Sequence, residues 1–301
     1  MPPFRSFLLG ATLLCLNLAA HADIVVKDDA GAEVHLKQPA KRLIALTPHI
    51  TETLMAAGAG ERLVGAVQFS DYPAAVKKLP RIGSYARLDM EAIVALKPDL
   101  VIGWQSGNTP AHIEKIRQLG IPVYLSQPNH IEDIAHDLES YGQLMGNEEG
   151  ARAAAAFRAR LAALRERYSN QPKVRVFYQV WKEPLITVGS TQIISDAIRI
   201  CGGENVFGQL RQMAPTVTVE AVLAANPEAI VASGMDEARP EWLDDWRRWP
   251  QLTAVVRGNL FFIPPDIIQR HTPRLLDGAE RLCKQLETAR SKRSAANVDG
   301  M

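Results

Sequence analysis

The chain is poor in the features that mark several large protein classes. Its 34 basic and 33 acidic residues give a net charge of +1, so it lacks the basic excess with which nucleic-acid binders and polybasic membrane-surface proteins hold phosphate. Cysteines number three, Cys15, Cys201 and Cys283, with no C-x-x-C pair and no zinc-ligand spacing. Aromatic residues make up only 6%. The apolar run at residues 7–20 is too short to cross a membrane as a helix.

What is present is enough apolar material for real cores. Over 301 residues, 47% are hydrophobic and 22% charged, the proportions of one large or two ordinary globular domains. The N-terminus reads as a processing signal: Arg5, the apolar run and the small-residue pattern Ala20-His21-Ala22 describe a secretory segment, residues 1–22, cut between Ala22 and Asp23. A lipid anchor at Cys15 is the alternative, although Leu13-Leu14 lacks the small residues that usually precede one. Cleavage would leave 33 basic against 33 acidic residues and two cysteines. In an oxidising compartment Cys201 and Cys283 can pair; two buried free thiols are the other reading.

Hydrophobic periodicity predicts an opening hairpin around Asp28-Asp29-Ala30-Gly31. Strands at 43–46, 63–67, 100–102 and 123–125 then alternate with helices at 51–57, 89–96, 111–119 and 131–145. That alternation argues for an α/β fold with a parallel sheet flanked by helices. Residues 148–168 are rich in Ala, Arg, Leu and Glu with no Gly or Pro after Gly150, which predicts one continuous helix roughly 30 Å long. Alternation resumes with strands at 174–179, 186–188, 229–232 and 260–263 and helices at 193–201, 219–224 and 273–289. The expected organisation is a lobe at 23–146, a connecting helix at 147–170, a second lobe at 171–290 and a disordered polar tail at 291–301.

An internal repeat supports two related lobes. Glu91-Ala92-Ile93-Val94-Ala95-Leu96-Lys97-Pro98-Asp99-Leu100-Val101-Ile102 aligns with Glu220-Ala221-Val222-Leu223-Ala224-Ala225-Asn226-Pro227-Glu228-Ala229-Ile230-Val231 at an offset of 129 residues. Upstream, Gly60-Glu61-Arg62-Leu63-Val64-Gly65 aligns with Gly203-Glu204-Asn205-Val206-Phe207-Gly208. Two α/β lobes joined by one long rigid helix leave a cleft between them, a common ligand site.

Catalytic residues do not assemble in the sequence. Gly202-Gly203 suits a helix C-cap better than a phosphate loop, because no Lys-Ser/Thr follows. No serine sits in a G-x-S-x-G elbow. Beyond residue 22 the histidines, His35, His49, His112, His130, His136 and His271, are scattered. A metal site built from His49, His271 and distant carboxylates stays open on spacing alone. Trp242, Trp246 and Trp249 stand at helical spacing and read as packing residues.

Three segments carry a family likeness: Arg42-Leu43-Ile44-Ala45-Leu46-Thr47-Pro48-His49-Ile50-Thr51-Glu52, Phe69-Ser70-Asp71-Tyr72-Pro73 and Leu96-Lys97-Pro98-Asp99-Leu100-Val101. They resemble the helical-backbone, class III periplasmic substrate-binding proteins of metal-chelate ABC importers, and the likeness extends over nearly the whole chain after residue 22. Within that family Cys201-Gly202-Gly203-Glu204-Asn205-Val206-Phe207, Arg281-Leu282-Cys283 and the segment from Pro265-Asp266 to Pro273-Arg274 look most like the corrinoid-carrying members.

The resemblance implies two lobes bridged by a rigid helix, a Cys201–Cys283 disulfide, no catalysis, no resident cofactor and a monomer in the periplasm. It implies cobalamin or a related corrinoid as cargo and a membrane permease as partner. By position, the corrin-lining residues are Phe69, Tyr85, Trp104, Asp266 and Arg270. Where the family has further pocket aromatics this chain has Val180 and Ala214, with Trp181 and Met213 beside them as substitutes. Glu91 and Glu220 match the acids, one per lobe, that pair with permease arginines. An acid in the first turn of a helix also has an ordinary role, favoured by about 0.3 to 1 kcal/mol by the helix dipole.

The same fold also admits haem or a ferric siderophore. Haem receptors of this group place a tyrosine directly after a glycine, whereas Ser84 separates Gly83 from Tyr85 here; Tyr85 and His271 are the candidate iron ligands. A secreted metal-dependent enzyme is the different-class alternative.

Overall fold

The computed structural model describes residues 23–234 and 237–298; the expected signal segment, 1–22, lies outside them. β1 (Ile24–Lys27) and β2 (Glu33–Leu36) form the antiparallel hairpin. β3 (Leu43–Ala45), β4 (Leu63–Ala66), β5 (Leu100–Trp104) and β6 (Val123–Ser126) form a parallel sheet in the order β4-β3-β5-β6. β7 (Val174–Gln179), β8 (Gly203–Asn205), β9 (Ala229–Ala232) and β10 (Leu260–Phe262) form a second parallel sheet in the order β10-β9-β7-β8. Unbroken apolar runs such as Leu43-Ile44-Ala45 and Ala229-Ile230-Val231-Ala232 are fully buried, as a parallel sheet covered by helices on both faces requires.

The sequence repeat corresponds to a repeated structural device. The helix Met90–Ala95 leads into β5 and the helix Val219–Ala225 into β9. In each case the residue before the proline, Lys97 or Asn226, has a positive φ (46° and 41°), which turns the chain sharply from helix to strand. An acid follows each proline. Asp99 accepts the backbone N–H groups of Lys41 and Arg42 at 2.8 and 2.9 Å, and Glu228 accepts that of Arg175 at 3.2 Å. Each acid therefore pins the segment at the start of the neighbouring strand, β3 or β7, which is why proline plus acid recurs.

The helix Glu149–Tyr168 spans 20 residues. It buries Gly150, Ala154, Phe157, Leu161, Leu164 and Tyr168, a single stripe at alternating three- and four-residue spacing. Gly150 is needed where this helix crosses the preceding one: a Cβ there would stand 2.3 Å from the Leu138 carbonyl oxygen. Arginines on the opposite face reach both sides, Arg158 and Arg165 to Glu139 and Glu132, and Arg160 to Asp277 and Glu280. Exposed pairs of this kind each add little stability, but they tie one rod to elements of both lobes.

Two expectations are corrected. The last helix runs Leu275–Val298, so residues 291–298 are helical and not a disordered tail; 299–301 lie outside the described residues. No Gly or Pro interrupts the helix there, and two arginines fasten it. Arg290 donates to the Pro172 carbonyl at 2.8 Å, and Arg293 pairs with Glu228. The strand expected at 186–188 is reduced to isolated bridges from Ile186 to Trp181 and Thr216, because Pro184 and Pro215 cannot donate to a continuing ladder. The short helices Thr253–Val256 and Pro265–Ile268 were not foreseen, since four residues are too few to show a period. Among the described residues no helix is long and apolar enough to cross a membrane.

Cys201, capping the helix Ile193–Ile200, is bonded to Cys283 in the last helix, with Cα atoms 4.6 Å apart and a sequence separation of 82. The bridge staples the terminal helix onto the second lobe. Closing so long a loop stabilises by at most about 4 to 5 kcal/mol on the chain-entropy model. A Cys201→Ala/Cys283→Ala protein is expected to unfold at markedly lower urea concentration than the oxidised parent. Equal midpoints would show that the bridge adds nothing.

Candidate functional site

Both sheets change direction once, and the loops at those points face each other. In the first sheet the chain goes from β3 to β4 on one side and returns to β5 on the other. His49, just beyond the end of β3, and Trp104, the last residue of β5, thus flank a topological switch point, where open α/β sheets bind ligands. In the second sheet the switch falls between β7 and β9, whose ends lead to Val180-Trp181 and Ser233-Gly234.

Between these ends lies a pocket of about 220 Å³ lined by Pro48, His49 and Trp104 from the first lobe and Gln192, Met213, Gln269, Arg270 and His271 from the second. His49 lies edge-on to Trp104, ring centroids 5.1 Å apart, and 5.9 Å from His271. Thr47 caps the helix Pro48–Ala56 and its hydroxyl stands 3.4 Å from His49 Nε2. Gln269 is held by donating its amide to the Gly234 carbonyl at 3.1 Å.

Two ion pairs join the lobes beside the pocket. Arg274 donates from Nε and Nη2 to both oxygens of Glu52 at 2.7 and 2.8 Å, and the Glu52 side chain is only 3% exposed. The Arg274 guanidinium also lies 3.8 Å from the Tyr72 ring centroid. Arg270 is shared, with Asp71 of the other lobe at 2.9 Å and Asp266 at 3.1 Å.

The residues expected to contact ligand occupy different depths. Trp104 and Arg270 line the pocket floor; Phe69, Tyr85, Trp181 and Asp266 do not. Asp266 instead holds Arg270. Phe69 is 76% exposed with φ at 63°, an unusual combination for an aromatic residue that marks a functional strain candidate. Its loop is fixed from below by Ser70, whose Oγ lies 3.1 Å from the Thr51 hydroxyl, and by Arg81, which donates to the Ser70 carbonyl at 2.9 Å.

Tyr85 is half-exposed, and its carbonyl accepts from Asn108 Nδ2 at 2.9 Å while Asn108 Oδ1 accepts the Trp104 N–H at 2.7 Å. One asparagine thus sets both aromatics. Gly83 is required two residues earlier: its φ is 92° and a Cβ would meet the Arg87 carbonyl oxygen at 2.3 Å. Trp181 is exposed and donates its indole N–H to the Glu183 carbonyl at 3.1 Å, while Met213 lines the pocket.

Sequence reasoning did not place Gln192 and Gln269 in the site, nor the Glu52–Arg274 pair. The sequence presents His49 and His271 as metal ligands with distant carboxylates, and His271 with Tyr85 as a candidate iron ligand; no group of three metal-binding side chains occurs among the described residues.

Glu91 and Glu220 are exposed in the first turns of the helices Met90–Ala95 and Val219–Ala225. The capping side chains Asp89 and Thr218 accept from the Ala92 and Ala221 N–H groups at 3.0 and 3.2 Å. Neither glutamate has an ion-pair partner among the described residues.

Residues 43–267 match the model of a periplasmic binding protein family. The chain belongs to that family. Curated members similar to it include the vitamin B12-binding protein of Vibrio campbellii, 38% identical over 256 residues, with 85% of this chain and 92% of the relative covered. That of Yersinia pestis is 37% identical over 254 residues, covering 83% and 87%. Among solved structures, the periplasmic vitamin B12-binding protein of Vibrio cholerae superposes with a TM-score of 0.75 at 35% identity, covering 84% of this chain and 98% of that one. The haem-binding RhuT of a Roseiflexus species superposes at 0.71 with 24% identity, over 83% and 99%, which establishes the shared fold alone. The family's two-lobed α/β architecture is the one described above.

The histidines of this binding-protein pocket are held neutral. Burial drives His49 down to about 3, with His271 and Arg270 adding to the effect, and burial drives His271 down to about 4. In the unfolded chain both titrate near 6.5. Their folded pKa values are depressed, so the unfolded state binds more protons below pH 6.5 and stability is lost as pH falls. Each ring contributes at most about 1.4 kcal/mol per pH unit to that loss. Replacing both by asparagine is expected to flatten the decline of the urea midpoint between pH 6.5 and 4.5. An unchanged slope would assign the acid sensitivity elsewhere.

Proposed function

We propose that the protein captures cobalamin or a related corrinoid between its lobes and hands it to the permease of an ABC importer. The reading rests on the vitamin B12-binding relatives together with one feature of the cleft, its exposed apolar rim. Phe69, Tyr72, Tyr85, Trp181 and Met213 are 76, 45, 50, 38 and 42% exposed, and all stand in loops at the ends of the two sheets. Large apolar side chains left in water around a cleft suit a broad, mostly apolar disc. A floor of about 220 Å³ admits a small group projecting from such a disc, while the disc itself lies between the aromatic walls.

Electrostatics favour a corrinoid over haem or an anionic siderophore. Arg270 is the one cation among the pocket-lining residues, and Asp71 and Asp266 already neutralise it. Haem propionates would need a free cation, whereas the rim of a corrinoid carries neutral amides that pair with Gln192, Gln269 and the ion-pair edges. The receptor acts without catalysis and without a resident cofactor, as a periplasmic monomer released by cleavage after Ala22. Residues 23–146, 147–170 and 171–290 serve as lobe, connector and lobe. Glu91 and Glu220, in repeat-related positions, engage arginines of the permease, one per lobe. Such paired charges set orientation and association rate more than affinity.

Calorimetric titration of the mature protein with cyanocobalamin, haem and a ferric hydroxamate tests the cargo. Tight binding of cyanocobalamin alone is expected; tight haem binding with no heat from cyanocobalamin overturns the reading. For docking, a Glu91→Ala/Glu220→Ala protein is expected to keep its corrinoid affinity while its association with the permease weakens at least tenfold, about 1.4 kcal/mol. Unchanged transport at limiting receptor would remove these two acids from the interface.

A further inference from the structure

Trp104 ends β5, while Tyr85 stands in a four-residue turn whose end residues, Ser84 and Arg87, donate their N–H groups to each other's carbonyls at 2.9 and 3.1 Å. The indole is not held by its polar end: Trp104 Nε1 is buried and has no partner among the described residues. Its place is set by the backbone that folds back beneath it. Gly107 and Asn108 donate their N–H groups to the Trp104 carbonyl at 3.3 and 3.0 Å, and the ring lies against Gly107, where a Cβ would come within 1.8 Å of Trp104 Cε3.

Asn108 closes this turn and joins it to two other segments. The residue is 4% exposed and lies outside the pocket lining. Its Oδ1 accepts the Trp104 N–H at 2.7 Å, and its Nδ2 donates to the carbonyls of Tyr85 at 2.9 Å and of Leu46 at 3.3 Å. The oxygen and the amide donors are thereby all engaged. Leu46 directly precedes Thr47, the cap of the helix that carries His49. The next residue points the same way. Thr109 occupies the N-cap position of the helix Pro110–Gln118, where a threonine hydroxyl ordinarily accepts from the first turn. It caps nothing and donates instead to the Ala86 carbonyl at 3.4 Å. Two consecutive side chains thus hold the Tyr85 turn, one of them forgoing a helix cap, although Tyr85 itself is 50% exposed and gives the fold little packing in return.

We propose that Asn108 is a positioning residue for the bound disc, a role that rests on the corrinoid reading above. Itself buried, it fixes Tyr85 relative to Trp104, so that both aromatic faces stand in place before the ligand enters. Aromatic walls that are already ordered lose less freedom on binding than a loose turn would, and affinity rises accordingly.

The test is equilibrium dialysis of cyanocobalamin at pH 8 with wild-type, Asn108→Ala, Tyr85→Ala and doubly substituted proteins. Asn108→Ala is expected to weaken binding about tenfold. Because the residue acts partly through Tyr85, its removal from the Tyr85→Ala protein is expected to cost at least threefold less than its removal from wild type. A purely structural role would leave the two substitutions additive. Asn108→Asp has the same size and keeps the acceptor for the Trp104 N–H, but its carboxylate faces the Tyr85 and Leu46 carbonyls without a donor; it is expected to bind more weakly than wild type and decides the matter if the alanine variant does not fold. Additive losses, or affinities of the Asn108 variants within twofold of wild type, overturn the positioning role and leave the receptor reading intact. Failure of the wild-type protein to bind cyanocobalamin overturns both.

Discussion

The geometry of the cleft depends on one buried ion pair across the lobes, Glu52 with Arg274. Glu52 sits on the helix that begins with Pro48 and His49, and Arg274 begins the turn that follows Arg270 and His271. Bidentate contact between a 3% exposed carboxylate and a guanidinium stacked on Tyr72 leaves little freedom to either segment. Whatever the net worth of such a pair against an apolar substitute, breaking it strands a buried charge, which typically costs about 3 to 5 kcal/mol. Because both partners carry pocket residues three and four positions away, the pair sets the distance between His49 and His271, and with it the width of the floor.

The long helix and the pair constrain different motions. A single rod of 20 residues bonded to both lobes resists bending, and the Glu52–Arg274 contact resists sliding of the lobes past each other at the cleft base. The remaining latch, Arg270 with Asp71, is the weaker one: Asp71 is 48% exposed, so water competes for it and the bond can exchange at small energetic cost. Movement on ligand entry is therefore concentrated in the loop carrying Phe69, Asp71 and Tyr72 and in Arg270, while the histidine floor stays in place. A receptor of this build recognises its cargo by surfaces that adjust at the rim over a base that does not.

Much of this was legible in the sequence because it rests on periodicity and local chemistry. The helix at Glu149–Tyr168 shows itself in a run without Gly or Pro, and the repeat shows itself because proline plus acid has one structural use in both lobes. The floor of the site was not legible, and the reason is physical. His49 and His271 are 222 residues apart, and what brings them together is the Glu52–Arg274 pair, which no pattern of spacing announces. The pairing of the Arg270 charge is equally hidden, since Asp71 lies on the other lobe. The resemblance to corrinoid-carrying proteins pointed to Trp104 and Arg270, both on the floor. It also pointed to Asp266, whose role in the structure is to hold Arg270. The helical end at residues 291–298 is hidden because its polar composition resembles that of a disordered tail, when the deciding features are the absence of breakers and the anchoring of Arg290 and Arg293.

The charge balance gains a meaning from this arrangement. A chain with 34 basic and 33 acidic residues has little net charge with which to draw a ligand by a long-range field, and a neutral-rimmed ligand needs none. At the cleft the charges are consumed in pairs, and the histidines are kept neutral by burial, so the site presents dipoles and aromatic faces, with Trp104 Nε1 and His271 Nδ1 unpartnered among the described residues. An anionic chelate entering such a site would have to break the Asp71–Arg270 or Asp266–Arg270 contact and leave a carboxylate unpaired in a partly dry environment, a penalty its own carboxylate recovers only in part. A neutral-rimmed disc leaves both contacts intact. Discrimination between cargo classes thus comes less from attraction than from a cleft whose charges are already satisfied.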